Sequence, residues 1–351
     1  YVINYDDTSE KSDSVTSGLG KQLKMAFVHR SQKYVSKNSN KLLNKLLVTL
    51  RELEKLAGHD SLDIEFIISK AGKVHILQVR PIAVDHTKWN ISDKNIKTAI
   101  KASVRKFESE QSPSPFVLGD KTYFGLMPDW NPAEIIGVLP QKLSSSLYNK
   151  LITEEVWAQQ RAEVGYRDVR PQKLMHMFMG HPYVDLRASF NSFIPASIDS
   201  NLANKMVMHY LNLLKDKPYF HDKIEFKIAI TCVTPNIKSK IKSIFDSQFK
   251  QEEIFSIQEG LTTVTNNIIT NMKKNVERLQ LLSSRFNEIK NKQNSSLGRA
   301  FVLLSDCKIY GTLPFAHLAR AGFVAVALLE SFVEESIITK EDSKSSSSQT
   351  H

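Results

Sequence analysis

The stretch LDIEFIISKAGKVHILQVRPI, Leu62 to Ile82, constrains the fold of this chain more than any other. Two runs rich in Ile, Val, Phe and Leu alternate apolar with polar residues, the period-two pattern of half-buried strands. The break between them, Lys70-Ala71-Gly72-Lys73, contains a glycine and leaves room only for a tight connection, so a β-hairpin is predicted. Residues two apart share a face of a strand, which places Asp63 with Glu65 and Gln78 with Arg80. Pairing Ser69 with Val74 sets Glu65 opposite Gln78 and Asp63 opposite Arg80. One end of the hairpin then presents two carboxylates, an amide and a guanidinium. Hard oxygen ligands suit Mg²⁺, which is held by one or two carboxylates plus substrate phosphates. A guanidinium matches phosphate oxygens in a bidentate way. A nucleotide-phosphate and magnesium site is one reading of these residues. An ion-paired, exposed sheet face is the other, and the commoner use of such side chains.

A length of 351 residues gives room for two or three domains, and 41% apolar with 24% charged residues supplies an ordinary globular core. The 47 basic residues exceed the 37 acidic ones, and a net charge of +10 favours anionic partners such as nucleotides, phosphates or nucleic acid. Cys232 and Cys307 lie far apart without metal-ligand spacing, as expected in a reducing compartment. No charged-then-apolar signal segment opens the chain, and FVAVALL is too short to span a bilayer. A soluble, cytoplasmic protein without a membrane partner is the expectation. The chain opens without Met on the strand-like YVINYDD, as a piece beginning inside a domain would.

The segment after that strand is a polar loop with Asp13, Thr16, Ser17 and Gly18, whose hydroxyl and backbone N–H groups suit phosphate as well as a plain solvated turn. Leu42, Leu43, Leu46, Leu47, Leu50, Leu53 and Leu56 fall at helical spacing ahead of Gly58, predicting a scaffold helix against the sheet. Beyond the hairpin, DHTKWNISDKNIKTAIKASVRKFESEQSPSPF reads as an exposed helix and a linker. Asn131-Pro132-Ala133-Glu134 has the capping-box pattern of a helix start. SSSLYNKLITEEVWAQQRAEVG predicts one amphipathic helix with Leu147, Leu151, Ile152 and Val156 inward. HDKIEFKIAITC alternates as a strand, with Ile224, Phe226, Ile228 and Ile230 inward.

GYRDVRP and PYVDLRASFNSFIP concentrate Tyr166, Arg167, Asp168, Arg170, Tyr183, Asp185, Arg187 and Asn191. Such loops suit a small acid or zwitterion, Arg pairing its carboxylate and Asp its ammonium. They equally suit a buried salt-bridge network. Arg167, Arg170, Asp185, Arg187 and Asn191 are the candidate residues for binding such a ligand. Residues 236–298 predict a Lys-rich long helix pair, whose few aromatic residues give base stacking little support, so nucleic acid is not the expected partner. DCKIYGTLPFAHLARAGFVAVALLESF predicts a turn and then a buried helix in which His317 is a core histidine. EDSKSSSSQTH predicts a disordered tail.

LDIEF followed by GKVHILQVRPI resembles the end of the nucleotide-binding domain of the phosphoenolpyruvate synthase and pyruvate phosphate dikinase family, which has an ATP-grasp fold. The upstream VINYDD and SDSVTSG are similar to its phosphate-facing loop. The likeness covers roughly the first quarter of the chain. It implies ATP and Mg²⁺ as cofactors: Asp63 and Glu65 for the metal, Thr16, Ser17 and Gly18 for phosphate, and Gln78 and Arg80 for nucleotide phosphate or for orienting the transfer. The segments MPDWNPAEIIG, SLYNKLITEEVWAQQRAEVGYRDVRP, PYVDLRASFNSFIP, HDKIEFKIAIT and CKIYGTLPFAHLAR resemble a branch of synthase-like proteins found with surface-polysaccharide genes, the capsular glutamine kinase among them.

The implied fold class is α+β. Residues 1–85 would form the back half of an ATP-grasp domain and 86–115 a linker. Residues 116–335 would form a mostly helical, acceptor-binding central domain and 336–351 a disordered tail. The implied activity is a dikinase-type phosphotransfer from ATP through a phosphohistidine to a small acceptor such as pyruvate or glutamine. The family's Thr-Ser-His motif is absent around all ten histidines, so the phosphohistidine domain is expected in the native chain rather than here, and this piece alone is expected to be inactive. The alternative is a non-catalytic nucleotide- or metabolite-binding module of the same descent. The oligomeric state stays open, a homo-oligomer included.

Overall fold

A computed structural model describes residues 1–7, 24–33, 41–82, 92–126, 130–245, 248–292 and 295–342. The chain is α+β and divides into two compact units, Tyr1–Asp93 and Lys94–His351.

In the first unit β1 (Val2–Tyr5) and β2 (Lys24–Phe27) pair antiparallel. Helix α1 (Lys41–Ala57) follows, then β3 (Leu62–Ile68) and β4 (Val74–Pro81), also antiparallel. The leucine stripe of α1 makes the core: Leu43, Leu46, Leu47 and Leu50 are buried with Ile3 and Val28, and Ile64, Phe66, Ile68 and Val74 pack around them. Leu56, part of the predicted stripe, is 84% exposed, so the buried face ends a turn before the helix does. Gly58 (φ +62°) follows α1, and Gly72 (φ +75°) makes the hairpin turn, conformations that glycine adopts without strain.

The hairpin register holds a correction. Glu65 pairs with Gln78 and Asp63 with Arg80, as expected, but Ile68 rather than Ser69 lies opposite Val74. A bulge beyond Glu65 supplies the missing step, because Phe66 pairs with Ile76 and Leu77 is left as the extra residue. The alternation of β3 itself keeps Ile64, Phe66 and Ile68 on α1 and Asp63 and Glu65 outward, and the bulge in β4 shifts its phase so that Gln78 and Arg80 face outward with them.

The second unit begins with α2 (Asp93–Glu110), which buries no residue completely. In chain order come β5 (Phe124–Gly125), α3 (Pro132–Ile135), α4 (Lys142–Tyr148), α5 (Val156–Val164), β6 (Met175–Phe178), β7 (His181–Asp185) and α6 (Leu186–Asn191). The helices α7 (Ser200–Asp216), α8 (Ile224–Lys227), α9 (Ile237–Phe245), α10 (Gln251–Lys290), α11 (Ser296–Asp306) and α12 (Leu313–Glu334) complete it. The small antiparallel sheet has the order β5-β7-β6. The main core gathers Phe190, Phe193, Met206, Tyr210, Phe245, Ile257 and Leu261 between α6, α7, α9 and α10. Asn131 caps α3 as predicted, its Oδ1 accepting from the Glu134 N–H at 3.1 Å.

Three expectations fail here for physical reasons. HDKIEFKIAITC forms α8 and an irregular segment, not a strand: Ile224 and Ile228, four apart, share a helical face, and Ile228, Ala229 and Ile230 are all buried. The predicted single helix over 144–165 is interrupted by a π-helical turn, Asn149–Thr153, with the Glu154 N–H on the Asn149 carbonyl at 2.8 Å. That wider turn shifts the phase, so Tyr148, Thr153, Val156 and Trp157 are buried while Leu147, Leu151 and Ile152 are only partly so. The predicted turn at DCKIYG is likewise a π-helical segment, Cys307–Thr312, joining α11 to α12. Ser296–Glu334 is therefore long and apolar enough to cross a membrane by length and composition, contrary to the reading of FVAVALL. It carries buried His317, hydrogen-bonded to Glu163, and buried Arg320, ion-paired with Glu225, as a core helix does.

Candidate functional site

The outward face of the β3–β4 hairpin assembles the four residues singled out there. Arg80 Nη2 donates to Asp63 Oδ2 at 2.9 Å and to Glu65 Oε1 at 3.2 Å. Gln78 is exposed and lies opposite Glu65. The two carboxylates thus converge on one positively charged nitrogen. The Asp63, Arg80 and Glu65 side chains are 52%, 53% and 38% exposed, so this is a solvent-facing platform. The Arg80 guanidinium nitrogen occupies the point where both carboxylates converge. Among the described residues no group of three or more His, Cys, Asp or Glu side chains is placed to hold a metal ion. Mg²⁺ on this face would draw most of its ligands from phosphate and water, its usual preference. Asp13, Thr16, Ser17 and Gly18 lie outside the described residues.

The candidate acceptor residues divide. Asp185, Arg187 and Asn191 are buried together. Asp185 Oδ1 accepts from the Thr122 hydroxyl at 2.6 Å and from the Ala188 N–H at 2.9 Å, and burial pushes its carboxyl up. The Arg187 guanidinium donates to the carbonyls of Glu110 (3.1 Å), Ser112 (3.1 Å) and Gly119 (3.3 Å). Asn191 accepts from the Leu118 N–H and donates to the Leu118 carbonyl, both at 2.8 Å. These three side chains tie residues 110–122 to the β7–α6 corner. Arg167 makes its own contact to the Ile198 carbonyl at 3.5 Å. Arg170 holds Asp168 through Nε and Nη2 at 2.6–3.1 Å, which raises the guanidinium and lowers the carboxyl. Tyr166 is buried with its hydroxyl on the Thr231 carbonyl.

Two features escaped the sequence reading. Tyr1, Arg30, Arg51, Glu54, Lys55, Gly58, His59 and Asp60 line an open cleft of about 600 Å³ in the first unit. Arg30 is held there by Asp60 at 2.7 Å and Glu54 at 3.0 Å, and both carboxylates raise its pKa. The contributing residues are scattered through the sequence, and no motif flags them. The second is His176, 4% exposed, with Glu110 and Asp185 on its two sides. Its two-residue spacing from Phe178, on a strand whose other face is Met175 and Met177, was the available signal. His317 is a core histidine as expected, bonded to Glu163 Oε2 at 2.9 Å.

No family model matches the chain, and no curated protein and no solved structure gives a match to it.

Proposed function

We propose that the chain is part of an ATP-dependent, dikinase-type phosphotransferase, with the outward hairpin face as its nucleotide and Mg²⁺ platform. In this reading 1–85 is the back half of an ATP-grasp domain, 116–335 the central domain, and the protein cytoplasmic. One observation carries the reading: Asp63 and Glu65 converge on Arg80 beside Gln78, on the open side of a hairpin whose other side is core. Phosphoryl transfer asks the protein chiefly for positioning and charge neutralisation. Asp63 and Glu65 supply the negative charge that fixes Mg²⁺ against phosphate oxygens. Arg80 and Gln78 bind and orient the phosphates. The phosphoryl group then passes to a histidine on a separate domain and on to a small acceptor such as pyruvate or glutamine. Splitting one hard transfer into two steps is what a covalent histidine intermediate provides.

The second reading, a non-catalytic nucleotide- or metabolite-binding module, is favoured by the way Arg80 already neutralises both carboxylates. Calorimetric titration with ATP, with and without Mg²⁺, tests the common part: Mg²⁺-dependent binding lost in D63N supports a nucleotide platform, and no binding contradicts it. Adding a phosphohistidine domain from a phosphoenolpyruvate synthase, with labelled ATP, separates the two. Label on its histidine supports the phosphotransferase; bound but intact ATP supports the module.

A further inference from the structure

His176 is buried on β6 with a carboxylate at each nitrogen. Its Nδ1 lies 3.2 Å from Glu110 Oε1, at the end of α2, and its Nε2 lies 4.0 Å from Asp185 Oδ2, at the end of β7. Among the described residues, neither His176 Nε2 nor Asp185 Oδ2 has a hydrogen-bond partner, although both atoms are buried. Among the described residues the trio is also met by the Phe124 ring from β5, 5.4 Å from the imidazole, by the Thr122 hydroxyl on Asp185 Oδ1, and by Arg187 from α6, whose charge acts on Asp185. Lys106 of α2 is engaged with the Met177 carbonyl at 2.9 Å.

Proton counting makes this arrangement informative. A neutral imidazole has one N–H and one lone pair, and an ionised carboxylate only accepts. If Nδ1 carries the proton, Nε2 and Asp185 Oδ2 face each other as two acceptors. If Nε2 carries it, Nδ1 and Glu110 do. Either tautomer leaves an acceptor–acceptor contact: the one at Asp185 is sealed from water and correspondingly costly, and the one at Glu110, whose side chain is 30% exposed, is partly relieved by water. One additional proton removes the conflict. It resides on the imidazole, which then donates to both carboxylates, or on Asp185 Oδ2, which then donates to Nε2 while Nδ1–H donates to Glu110. Both arrangements leave the trio at the same charge. The burial that pushes the Asp185 carboxyl up acts in the direction a retained proton requires.

We propose that Glu110, His176 and Asp185 share this extra proton and form a proton-dependent clasp between the last turn of α2 and the β5-β7-β6 sheet. With the proton present, the 4.0 Å gap closes to hydrogen-bond length; without it, the two acceptors keep apart and the α2 end loosens. The device lies apart from the hairpin and does not depend on the nucleotide reading. A group whose folded pKa is raised stabilises at low pH and loses that contribution as pH rises, so loosening belongs on the alkaline side.

Hydrogen-exchange protection of residues 106–112 and 174–186, measured on the whole chain from about pH 5 to 9 and corrected for intrinsic exchange, tests the clasp. Protection in the unsubstituted chain is expected to fall about ten-fold as pH rises, the scale of one buried hydrogen bond. In D185N the side-chain N–H₂ donates to His176 Nε2 at every pH while Oδ1 keeps Thr122 and Ala188, so protection is expected to stay level. A flat profile in the unsubstituted chain, or the same slope in D185N, overturns the proposal. Should D185N fail to fold, the imidazole ¹⁵N signals of His176 decide: a proton between Nε2 and Asp185 at low pH supports the clasp, and an Nε2 lone pair throughout refutes it.

Discussion

Glu65→Gln separates a functional from a structural role for the hairpin face. Glu65 meets Arg80 at 3.2 Å, with side chains 38% and 53% exposed. An exposed pair of this kind is worth about 0.2–1 kcal/mol, and Coulomb's law in water gives about 1 kcal/mol at such a distance. The first unit spans 93 residues, and a domain of that size loses roughly 4–8 °C in Tm per kcal/mol. E65Q is therefore expected to melt no more than about 8 °C below the unsubstituted chain by circular dichroism. A buried pair would lose about 3–5 kcal/mol and a far larger interval. Affinity for Mg·ATP, in contrast, should fall at least about ten-fold, since 1.4 kcal/mol of lost metal and phosphate contact suffices. A melt lowered well beyond that limit, or unchanged affinity with an intact melt, would refute the assignment of Glu65 to a ligand.

Three further outcomes follow from the second unit. Glu225 and Arg320 face each other with side chains 9% and 5% exposed, so E225Q, which removes the carboxylate from a buried guanidinium, should cost about 3–5 kcal/mol by urea unfolding, and E225L/R320M should recover most of it. Gly260 of α10 crosses the 195–197 loop so closely that a Cβ would lie 2.7 Å from Pro195 Cβ and 2.9 Å from Ser197 Oγ; G260A should cost about 1–3 kcal/mol in the same assay. The His317 hydrogen bond holds the Glu163 carboxyl below its ordinary value of 4.5, so that stabilisation is present above this pH and is lost as pH falls through the lowered value. H317L should flatten this acid limb, and an unchanged limb would show that the pair is not linked to folding.

The parts legible in the sequence are those where local pattern and tertiary environment agree. Period two, Gly72 and the leucine spacing of α1 specify the hairpin and its support. The face carrying Asp63 and Glu65 was correct even though the turn register was off by one, because the bulge at Leu77 restores the pairing. Agreement fails where two periods fit the same residues: Ile224, Phe226, Ile228 and Ile230 alternate, but Ile224 and Ile228 also share a helical face, and burial of Ala229 beside Ile230 favours that outcome. The π-helical turns at 149–153 and 307–312 have no sequence periodicity of their own. Asp185, Arg187 and Asn191 show a third limit. Residue type gives their hydrogen-bonding capacity and not its direction, and they spend it on Thr122, the 110–119 carbonyls and Leu118.

The hairpin platform is tested most directly with Mn²⁺ in place of Mg²⁺. Amide NMR signals of the ¹⁵N-labelled chain would be followed as Mn²⁺ is added with and without ATP. The account predicts paramagnetic broadening at Asp63, Glu65, Gln78 and Arg80 that requires ATP and disappears in D63N. Broadening confined to the cleft around Arg30 and Asp60, or none on β3 and β4 with ATP in excess, would contradict it.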